Sequence, residues 1–204
     1  INVDFEQIRQ NAKPHYIEFI RELSIACRKN NLVLSVDVPN YADYNAFYSR
    51  KDLAKIVDYV INMGYDEHTN GTSMGSVSSI GYVKKGLERT LKEVPAEKLI
   101  NGVPFYTRIW TKKNGETTSK AIGISDAKAW ITQNNVDLTW DDKLGQYYGE
   151  IKTDDTKQAI WMEEEKSLGL KVDLIKEKNL AGVGCWKLGF EPSSVWDVID
   201  RVSQ

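Results

Sequence analysis

Five short apolar segments separated by helical patterns constrain the fold of this chain more than any other feature of its sequence. Apolar strands that alternate with helices form parallel β-α-β units, and the helices then cover both faces of the sheet. We therefore predict an α/β fold with parallel strands. The predicted strands are Ile1–Glu6, Leu32–Val38, Asp58–Tyr65, Leu99–Phe105 and Leu180–Trp186.

Helices are predicted where apolar residues recur at intervals of three and four between these strands. In the first of them, Ile17, Ile20 and Leu23 share one face, and Asn30 follows its end. Ser79 and the serine before it can cap a later helix. The predicted helices cover residues 14–29, 51–57, about 78–94 and about 193–202.

The alternation of strands and helices breaks between Thr107 and Asn179. We interpret this stretch as a small α+β insertion that begins with a loop and contains a hairpin with its turn at residues 142–145. Its predicted elements are helices at about 125–134 and 163–178 and strands near 138–140, 146–152 and 157–162. The predicted organisation is thus residues 1–106 for four strands with their helices, 107–179 for the insertion, and 180–204 for the last strand and helix.

Composition excludes several classes of partner. The net charge of −2 argues against nucleic acid or an anionic membrane as the main partner. No apolar run reaches the roughly 18 residues that a membrane span needs. Cys27 and Cys185 are expected to be buried small apolar residues, with a disulfide as the alternative, and their spacing predicts no metal site.

An acidic pattern opens the chain. Asn2, Asp4 and Glu6 fall on one face of the predicted first strand, and apolar residues fall on the other. Neighbouring carboxylates repel one another, so one of them can keep a proton near neutral pH and donate it to a departing glycosidic oxygen. The alternative is that these are ordinary acidic residues on an exposed chain end.

Three further segments place polar or aromatic side chains at strand ends. Met63 and Tyr65 share a face, and Asp66 follows on the loop; a core pair with a helix-capping aspartate is the alternative. Trp186 ends a glycine-containing strand and is either a cleft or a core residue. Tyr106 and Arg108 follow the fourth strand, although Arg108 could instead pair with a carboxylate of the insertion. Asp37 could face the same side or cap the turn that follows it.

Taken in order, these segments resemble the motifs of family 18 glycoside hydrolases, the chitinase family. Asn2-x-Asp4-x-Glu6 resembles the end of the strand-four signature D-G-x-D-x-D-x-E, with Asn2 where many chitinases have another aspartate. Met63-Gly64-Tyr65-Asp66 resembles the M-x-Y-D element of strand six, and Trp186 ends a segment that resembles the G-x-x-x-W of strand eight. The resemblance implies the C-terminal part of a (β/α)8 TIM barrel, with the α+β insertion between strands seven and eight. An open doubly wound sheet is the structural alternative.

The resemblance also implies roles for these residues. Glu6 would be the general acid, Asp4 would orient the N-acetyl group of the substrate, and Tyr65 would stabilise its carbonyl region. The 2-acetamido oxygen of the substrate would serve as nucleophile, without a metal or cofactor. Substrate-binding roles would fall to Asn2, Met63, Asp66, Tyr106, Arg108 and Trp186.

The variants Asp4-Phe5-Glu6 and Tyr65-Asp66-Glu67-His68 resemble the bacterial branch of the family that is linked to spores and cell walls. This implies an N-acetylglucosaminidase for peptidoglycan, spore cortex or a chitin-like glycan, secreted or associated with the cell wall or spore. His68 could also touch the substrate. Because only five strands are visible, we expect either the missing N-terminal half of the barrel in the same parent chain or self-association. The alternative functions are a carbohydrate-binding, lectin-like relative without turnover and an unrelated α/β protein.

Overall fold

The computed structural model describes residues 1–6, 8–40 and 47–203. Ten strands and six α-helices lie in these ranges, together with three short 3-10 turns. The strands are β1 Asn2–Val3, β2 Ser35–Pro39, β3 Tyr59–Met63, β4 Leu99–Pro104, β5 Tyr106–Lys113, β6 Glu116–Gly123, β7 Leu138–Asp141, β8 Gln146–Lys152, β9 Thr156–Met162 and β10 Gly182–Trp186. The helices are α1 Lys13–Lys29, α2 Arg50–Ile56, α3 Ile80–Thr90, α4 Ile124–Gln133, α5 Glu165–Glu177 and α6 Ser194–Ile199.

Two compact units make up the chain, and each has its own core. The first unit comprises Ile1–Gly64, Lys84–Gly102 and Ile175–Gly184. The second comprises Tyr65–Val83, Val103–Leu174 and Cys185–Gln204. The parallel sheet lies mainly in the first unit, and an antiparallel sheet lies in the second.

The parallel sheet contains all five strands that the apolar segments predict, in the order β1-β2-β3-β4-β10. Val36 pairs with Val60, and Ile61 pairs with Ile100, so the strands are joined in parallel from β2 to β4. Alternate residues of β2 are fully buried and those between them are half-buried, so one face of this strand is covered more deeply than the other. This confirms the α/β class. The assignment to strands four to eight of a barrel stays a prediction.

The first strand is shorter than predicted. Only Asn2 and Val3 pair with β2, and the strand ends before Asp4. Among the described residues no ladder pairing continues beyond Val3, so the period of two does not extend to Glu6. Asp4 and Glu6 are both exposed, and the prediction that they lie on a buried strand face was wrong.

A buried amide ladder in the first unit joins Asn62 of β3 to Asn101 of β4 and to Asn40, the residue directly after β2. Nδ2 of Asn62 donates to Oδ1 of Asn40 at 2.9 Å and to Oδ1 of Asn101 at 3.0 Å. The three side chains are at most 1% exposed. Gly86 of α3 makes room for this ladder, because a Cβ atom there would lie 1.6 Å from Oδ1 of Asn40. Since buried polar groups are costly without partners, these contacts fix how β2, β3 and β4 align.

The antiparallel sheet has the order β6-β5-β9-β8-β7. The predicted hairpin of β7 and β8 is confirmed, with residues 142–145 as its turn. The predicted loop after residue 107 was wrong, because β5 and β6 form a second hairpin there. Asn114 and Gly115 turn the chain with φ angles of 51° and 81°, the backbone that a two-residue type I′ hairpin turn requires.

A buried ion pair joins α5 to the strand before it in the second unit. Nζ of Lys171 donates to both carboxylate oxygens of Glu163, at 3.0 and 2.9 Å, and both side chains are at most 1% exposed. Oγ of Ser167 and Nε2 of Gln146 also donate to this carboxylate. Both charged groups therefore have hydrogen-bond partners, as charged groups that are buried this deeply require.

Helix ends and cysteines follow the predictions closely. Helix α1 ends at Lys29, and Asn31 follows it with a φ of 55°. Oγ of Ser79 accepts a hydrogen bond from N of Tyr82 at 3.2 Å, which confirms the predicted cap, although α3 ends at Thr90 and not at residue 94. Cys27 is buried, Cys185 is partly buried, and both are free thiols.

Candidate active site

The Asp4–Glu6 segment is anchored through the backbone between the two carboxylates. The hydroxyl of the buried Tyr48 donates to the carbonyl oxygen of Phe5 at 2.7 Å. The Phe5 ring stacks on Phe19, with centroids 5.5 Å apart and planes 3° apart. Both carboxylates are therefore carried on a fixed main chain while they remain open to solvent.

A third carboxyl group, that of Asp37 on the neighbouring strand β2, is linked to the strand that precedes Asp4 and Glu6. Nδ2 of Asn2 donates to Oδ2 of Asp37 at 3.1 Å, and Oγ of Ser35 donates to Oδ1 of Asn2 at 2.7 Å. Burial raises the pKa of Asp37 to about 6, with a further rise from the charge of Asp4 and an opposing effect from the Asn2 hydrogen bond. A carboxyl group on β2 that interacts electrostatically with Asp4 therefore has a pKa above its ordinary value.

Met63 ends β3, half-buried and paired with Gly102 of β4. The next residue must be glycine, because a Cβ atom at Gly64 would lie 2.6 Å from the carbonyl oxygen of Gly102. N of Gly64 donates to that same oxygen at 3.2 Å. The close approach of the two backbones thus fixes the end of β3 in the first unit.

Tyr65, Asp66, Tyr106 and Trp186 all belong to the second unit, and there Tyr106 is the central residue. Its hydroxyl donates to Oδ1 of Asp66 at 2.5 Å. Its ring centroid lies 6.1 Å from that of Tyr65 and 5.5 Å from that of Trp186, and both contacts are edge-on. The structure therefore brings these four predicted residues of the second unit together.

Burial, followed by the charge of Asp66, raises the pKa of Tyr106 well above its ordinary value, so the phenol keeps its proton and acts as a donor. Asp66 itself is exposed and has a φ of 61°. The left-handed backbone region is uncommon outside glycine, and residues held there cluster at functional sites.

Trp186 is 44% exposed, and its ring packs edge-on against Phe190 at 5.9 Å. The backbone is fixed by N of Phe105, which donates to the Trp186 carbonyl oxygen at 2.7 Å. Trp186 thus presents a flat apolar ring to solvent, and the alternative of a core tryptophan does not hold. An exposed aromatic ring held in this way is suited to stacking on a sugar face.

Arg108 donates from NH1 to Oγ of Ser119 at 3.0 Å, and its buried Nε has no hydrogen-bond partner in residues 1–6, 8–40 and 47–203. No carboxylate in the described part of the chain lies within ion-pair distance of this guanidinium, so the predicted alternative of a pair with the insertion was wrong. The guanidinium group as a whole is half-buried.

His68 contributes to the loop that carries Asp66. Its Nδ1 lies 3.0 Å from the carbonyl oxygen of Ser73. The ring packs so closely on Gly75 that a Cβ atom there would lie 2.4 Å from it. This packing gives His68 a role in shaping the loop.

The rest of the described chain offers no comparable chemistry. A cavity of about 390 Å³ in the second unit is lined by Lys128, Leu138, Tyr147, Met162 and Glu165 among others, and it contains none of the predicted site residues. No cluster of three or more His, Cys, Asp or Glu residues that could hold a metal occurs in the described ranges. Within the same ranges, no helix is long and apolar enough to cross a bilayer.

Sequence reasoning did not predict two contacts of the first unit. Asp37 was recognised only as a strand-end carboxyl, because its partner Asn2 lies 35 positions away and is reached only through the strand register. Tyr48 follows a stretch without a helix or strand pattern, and no signal in the sequence linked it to Phe5.

Comparison with known proteins gives one family. The family described as glycosyl hydrolases family 18 matches residues 1–191. The uncharacterized glycosylase YvbX of Bacillus subtilis is 31% identical over 208 residues, which cover 98% of this chain and 60% of the relative.

Two solved structures share the fold. A chitinase from Chromobacterium violaceum is 26% identical with a TM-score of 0.91, covering 100% of this chain and 65% of that one. The spore cortex-lytic enzyme SleL of Bacillus megaterium is 29% identical with a TM-score of 0.86, covering 98% of this chain and 48% of that one. The chain thus spans about half to two thirds of the length of these relatives. It has the TIM-barrel-like α/β fold of chitinases, and it belongs to glycosyl hydrolase family 18.

Proposed function

We propose that this chain carries the catalytic part of a retaining glycosidase that cleaves β-linked N-acetylglucosamine-containing glycans of peptidoglycan, spore cortex or chitin type. The observation that carries the proposal is the Tyr106-centred cluster, in which one buried phenol joins Asp66, Tyr65 and Trp186. A polar anchor beside an exposed aromatic ring is what binding of an N-acetylated sugar requires.

The proposed reaction uses the substrate's own acetamido group. Glu6 gives its proton to the glycosidic oxygen as the bond from that oxygen to C1 breaks and the acetamido oxygen bonds to C1. Asp4 accepts a hydrogen bond from the acetamido N–H, and the hydroxyl of Tyr65 donates one to the acetamido oxygen. A water molecule then attacks C1 and gives one proton to Glu6. The bond between C1 and the acetamido oxygen breaks, and the configuration at C1 is retained. This is one of the exceptions to the scheme with two catalytic carboxylates.

The substrate-binding roles proposed for the other residues follow from their surroundings. Trp186 supplies an exposed ring, and Arg108 supplies a half-buried positive charge. Asn2 and Met63 belong to strand ends of the first unit. The names of the relatives support cell-wall or spore association, and we propose the same location for the protein that contains this chain.

We further propose that the missing part of the barrel comes from the same parent chain. The edge strand β1 has one neighbour, and the apolar side chains of Ile1, Phe5 and Phe19 are exposed near it. Open edges and exposed apolar surface favour association with another segment or another copy.

The test is product release from N-acetylglucosamine oligomers and from purified peptidoglycan, made with the longest natural protein that contains these 204 residues. Glu6→Gln should abolish cleavage and leave binding intact, whereas Glu22→Gln, on the exposed face of α1, should change neither. Cleavage that survives in Glu6→Gln would overturn the proposed mechanism. Binding of the oligomers without cleavage by the unmodified protein would favour a lectin-like function.

A further inference from the structure

Three polar side chains clamp the end of β1 to β2 in the first unit. The amide of Asn2 uses both of its ends: Oδ1 accepts from Ser35, and Nδ2 donates to Asp37. Because Asn2 pairs with Ser35 in the sheet register, the clamp fixes the strand from which the Asp4–Glu6 segment leaves. A slip of one residue would break both contacts.

The Asp37 carboxyl at the other end of this clamp is unusual. Its Oδ2 accepts from Asn2, while its Oδ1 is buried and has no hydrogen-bond partner among the residues that the structure describes. In the described ranges the titratable groups that interact with it are Asp4, beyond β1, and Tyr16, on α1. The hydroxyl of Tyr16 is likewise buried and has no hydrogen-bond partner within those ranges, and burial raises its pKa, so it stays neutral.

We propose that Asp37 is a positioning residue for the Asp4 and Glu6 carboxylates, holding β1 through Asn2 and setting by its own charge the electrostatic field at Asp4. The inference rests on the proposed function for the roles of Asp4 and Glu6. The clamp and the coupling of the two aspartates do not depend on the proposed function.

The sign of the coupling follows from the charges. While Asp37 keeps its proton, no negative charge from β2 opposes the ionised form of Asp4. When Asp37 loses that proton, the two carboxylates repel each other, so the charge of Asp4 makes Asp37 harder to ionise. The pKa of Asp37, raised to about 6 chiefly by burial, places this change at the acidic edge of the neutral range.

The clamp and the coupling are tested first without any substrate. In protein labelled with ¹³C at aspartate carboxyl groups, the Asp37 resonance should titrate near pH 6. Asp4→Asn should lower that value because it removes a repulsive charge, and Asn2→Ala should raise it because it removes a donor. Titration of Asp37 at the ordinary value near 4, or no response to Asp4→Asn, would overturn the proposal whether or not the protein is a glycosidase.

Kinetics then test the positioning role. Asp37→Asn keeps an acceptor for Asn2 but no charge, so kcat at pH 5 should stay within about threefold while the inflection of kcat/KM near pH 6 disappears. Asp37→Val removes the acceptor, so kcat should fall about tenfold with KM within about twofold. The exchanged pair Asn2→Asp with Asp37→Asn keeps one amide, one carboxyl and the contact between them, and it should recover most of the kcat that Asp37→Val loses.

The matched control is Asp52→Asn, an exposed aspartate on α2 of the same unit, which should leave kcat and the pH profile unchanged. An unchanged kcat in Asp37→Val, or an unchanged inflection in Asp37→Asn, would overturn the positioning role. If Asp37→Val does not fold, the exchanged pair and the titration decide the matter. Absence of turnover in the unmodified protein would count against the proposed function alone, because the titration needs no turnover.

Discussion

The hydroxyl of Tyr106 lies 2.5 Å from Oδ1 of Asp66 and donates a hydrogen bond to it, so the first residue of β5 holds the loop that follows β3. Tyr106 is almost fully buried, whereas Asp66 is exposed and has a left-handed backbone. The tyrosine of this contact is therefore held in the protein interior, whereas the aspartate is open to a ligand.

Tyr106→Phe should keep the ring contacts with Tyr65 and Trp186 but release the Asp66 carboxylate. A hydrogen bond to a charged group contributes about 1.5–3 kcal/mol, so we expect kcat/KM for N-acetylglucosamine oligomers to fall by roughly tenfold or more. Tyr59→Phe, which removes a hydroxyl on β3 in the first unit, serves as the control. Equal kcat/KM values for Tyr106→Phe and the unmodified protein would show that the contact has no part in catalysis.

Asp37 should make the fold less stable as the pH rises. Its pKa of about 6 is above the unfolded value near 3.9, so the folded state binds the proton more tightly and loses stability between about pH 4 and pH 6. Allowing for solvent screening at this half-buried site, Asp37→Asn should gain about 1–2 kcal/mol more at pH 7.5 than at pH 4. Urea unfolding at the two pH values measures this difference, and a gain that is the same at both would contradict the assignment.

The buried pair of Glu163 and Lys171 should tolerate loss of both charges far better than loss of one. Lys171→Met leaves an unpaired buried carboxylate and should cost about 3–5 kcal/mol, whereas adding Glu163→Gln should recover most of it. Lys128 pairs with Glu165 at 2.7 Å on a partly exposed surface, so Lys128→Met should cost less than about 1 kcal/mol. A double-mutant cycle in urea, with Lys128→Met as the reference, tests all three values.

Two glycines of α3 should respond oppositely to the same substitution. A Cβ atom at Gly81 meets nothing within 4 Å, so Gly81→Ala should stabilise the protein by about 0.5–1 kcal/mol. A Cβ atom at Gly86 would collide with Asn40, so Gly86→Ala should destabilise it by about 1–3 kcal/mol. Thermal unfolding distinguishes the two, and stabilisation by Gly86→Ala would show that the amide ladder can move aside.

The 204-residue chain by itself should associate with other copies. The exposed fractions of Ile1 and Phe5 are 57% and 50%, and Phe5 stacks on the exposed Phe19 beside an open edge strand. We expect dimers or larger species in sedimentation experiments, and we expect Phe19→Lys to shift the distribution toward monomer. A cooperative melt of a monomer at all concentrations would contradict this prediction.

The sequence was sufficient to predict the parallel strands because each is a short apolar run between helical patterns, a signal that does not depend on distant contacts. It was insufficient for β5 and β6, whose residues are mostly polar and resemble a loop. Asn114-Gly115 was a usable signal for that hairpin, since this dipeptide suits a type I′ turn.

The residues at predicted strand ends gave the candidate side chains of the site, but their positions in the sequence did not indicate which of these side chains would be in contact. Tyr106 and Asp66 are 40 positions apart, and their contact depends on how loops follow the strands. The short extent of β1 also depends on its pairing with β2, which no periodicity within residues 1–6 records.

The buried amide ladder also determines how the protein should age chemically. An asparagine followed by glycine loses its side-chain amide when the next backbone nitrogen attacks it, a reaction that requires a mobile backbone. The chain has three such pairs: Asn70-Gly71 and Asn114-Gly115 at exposed positions, and Asn101-Gly102 in β4, where Asn101 is fully buried and hydrogen-bonded to Asn62. During storage the first two should convert to aspartate while the third is preserved, so conversion at Asn101 would report that a molecule had unfolded.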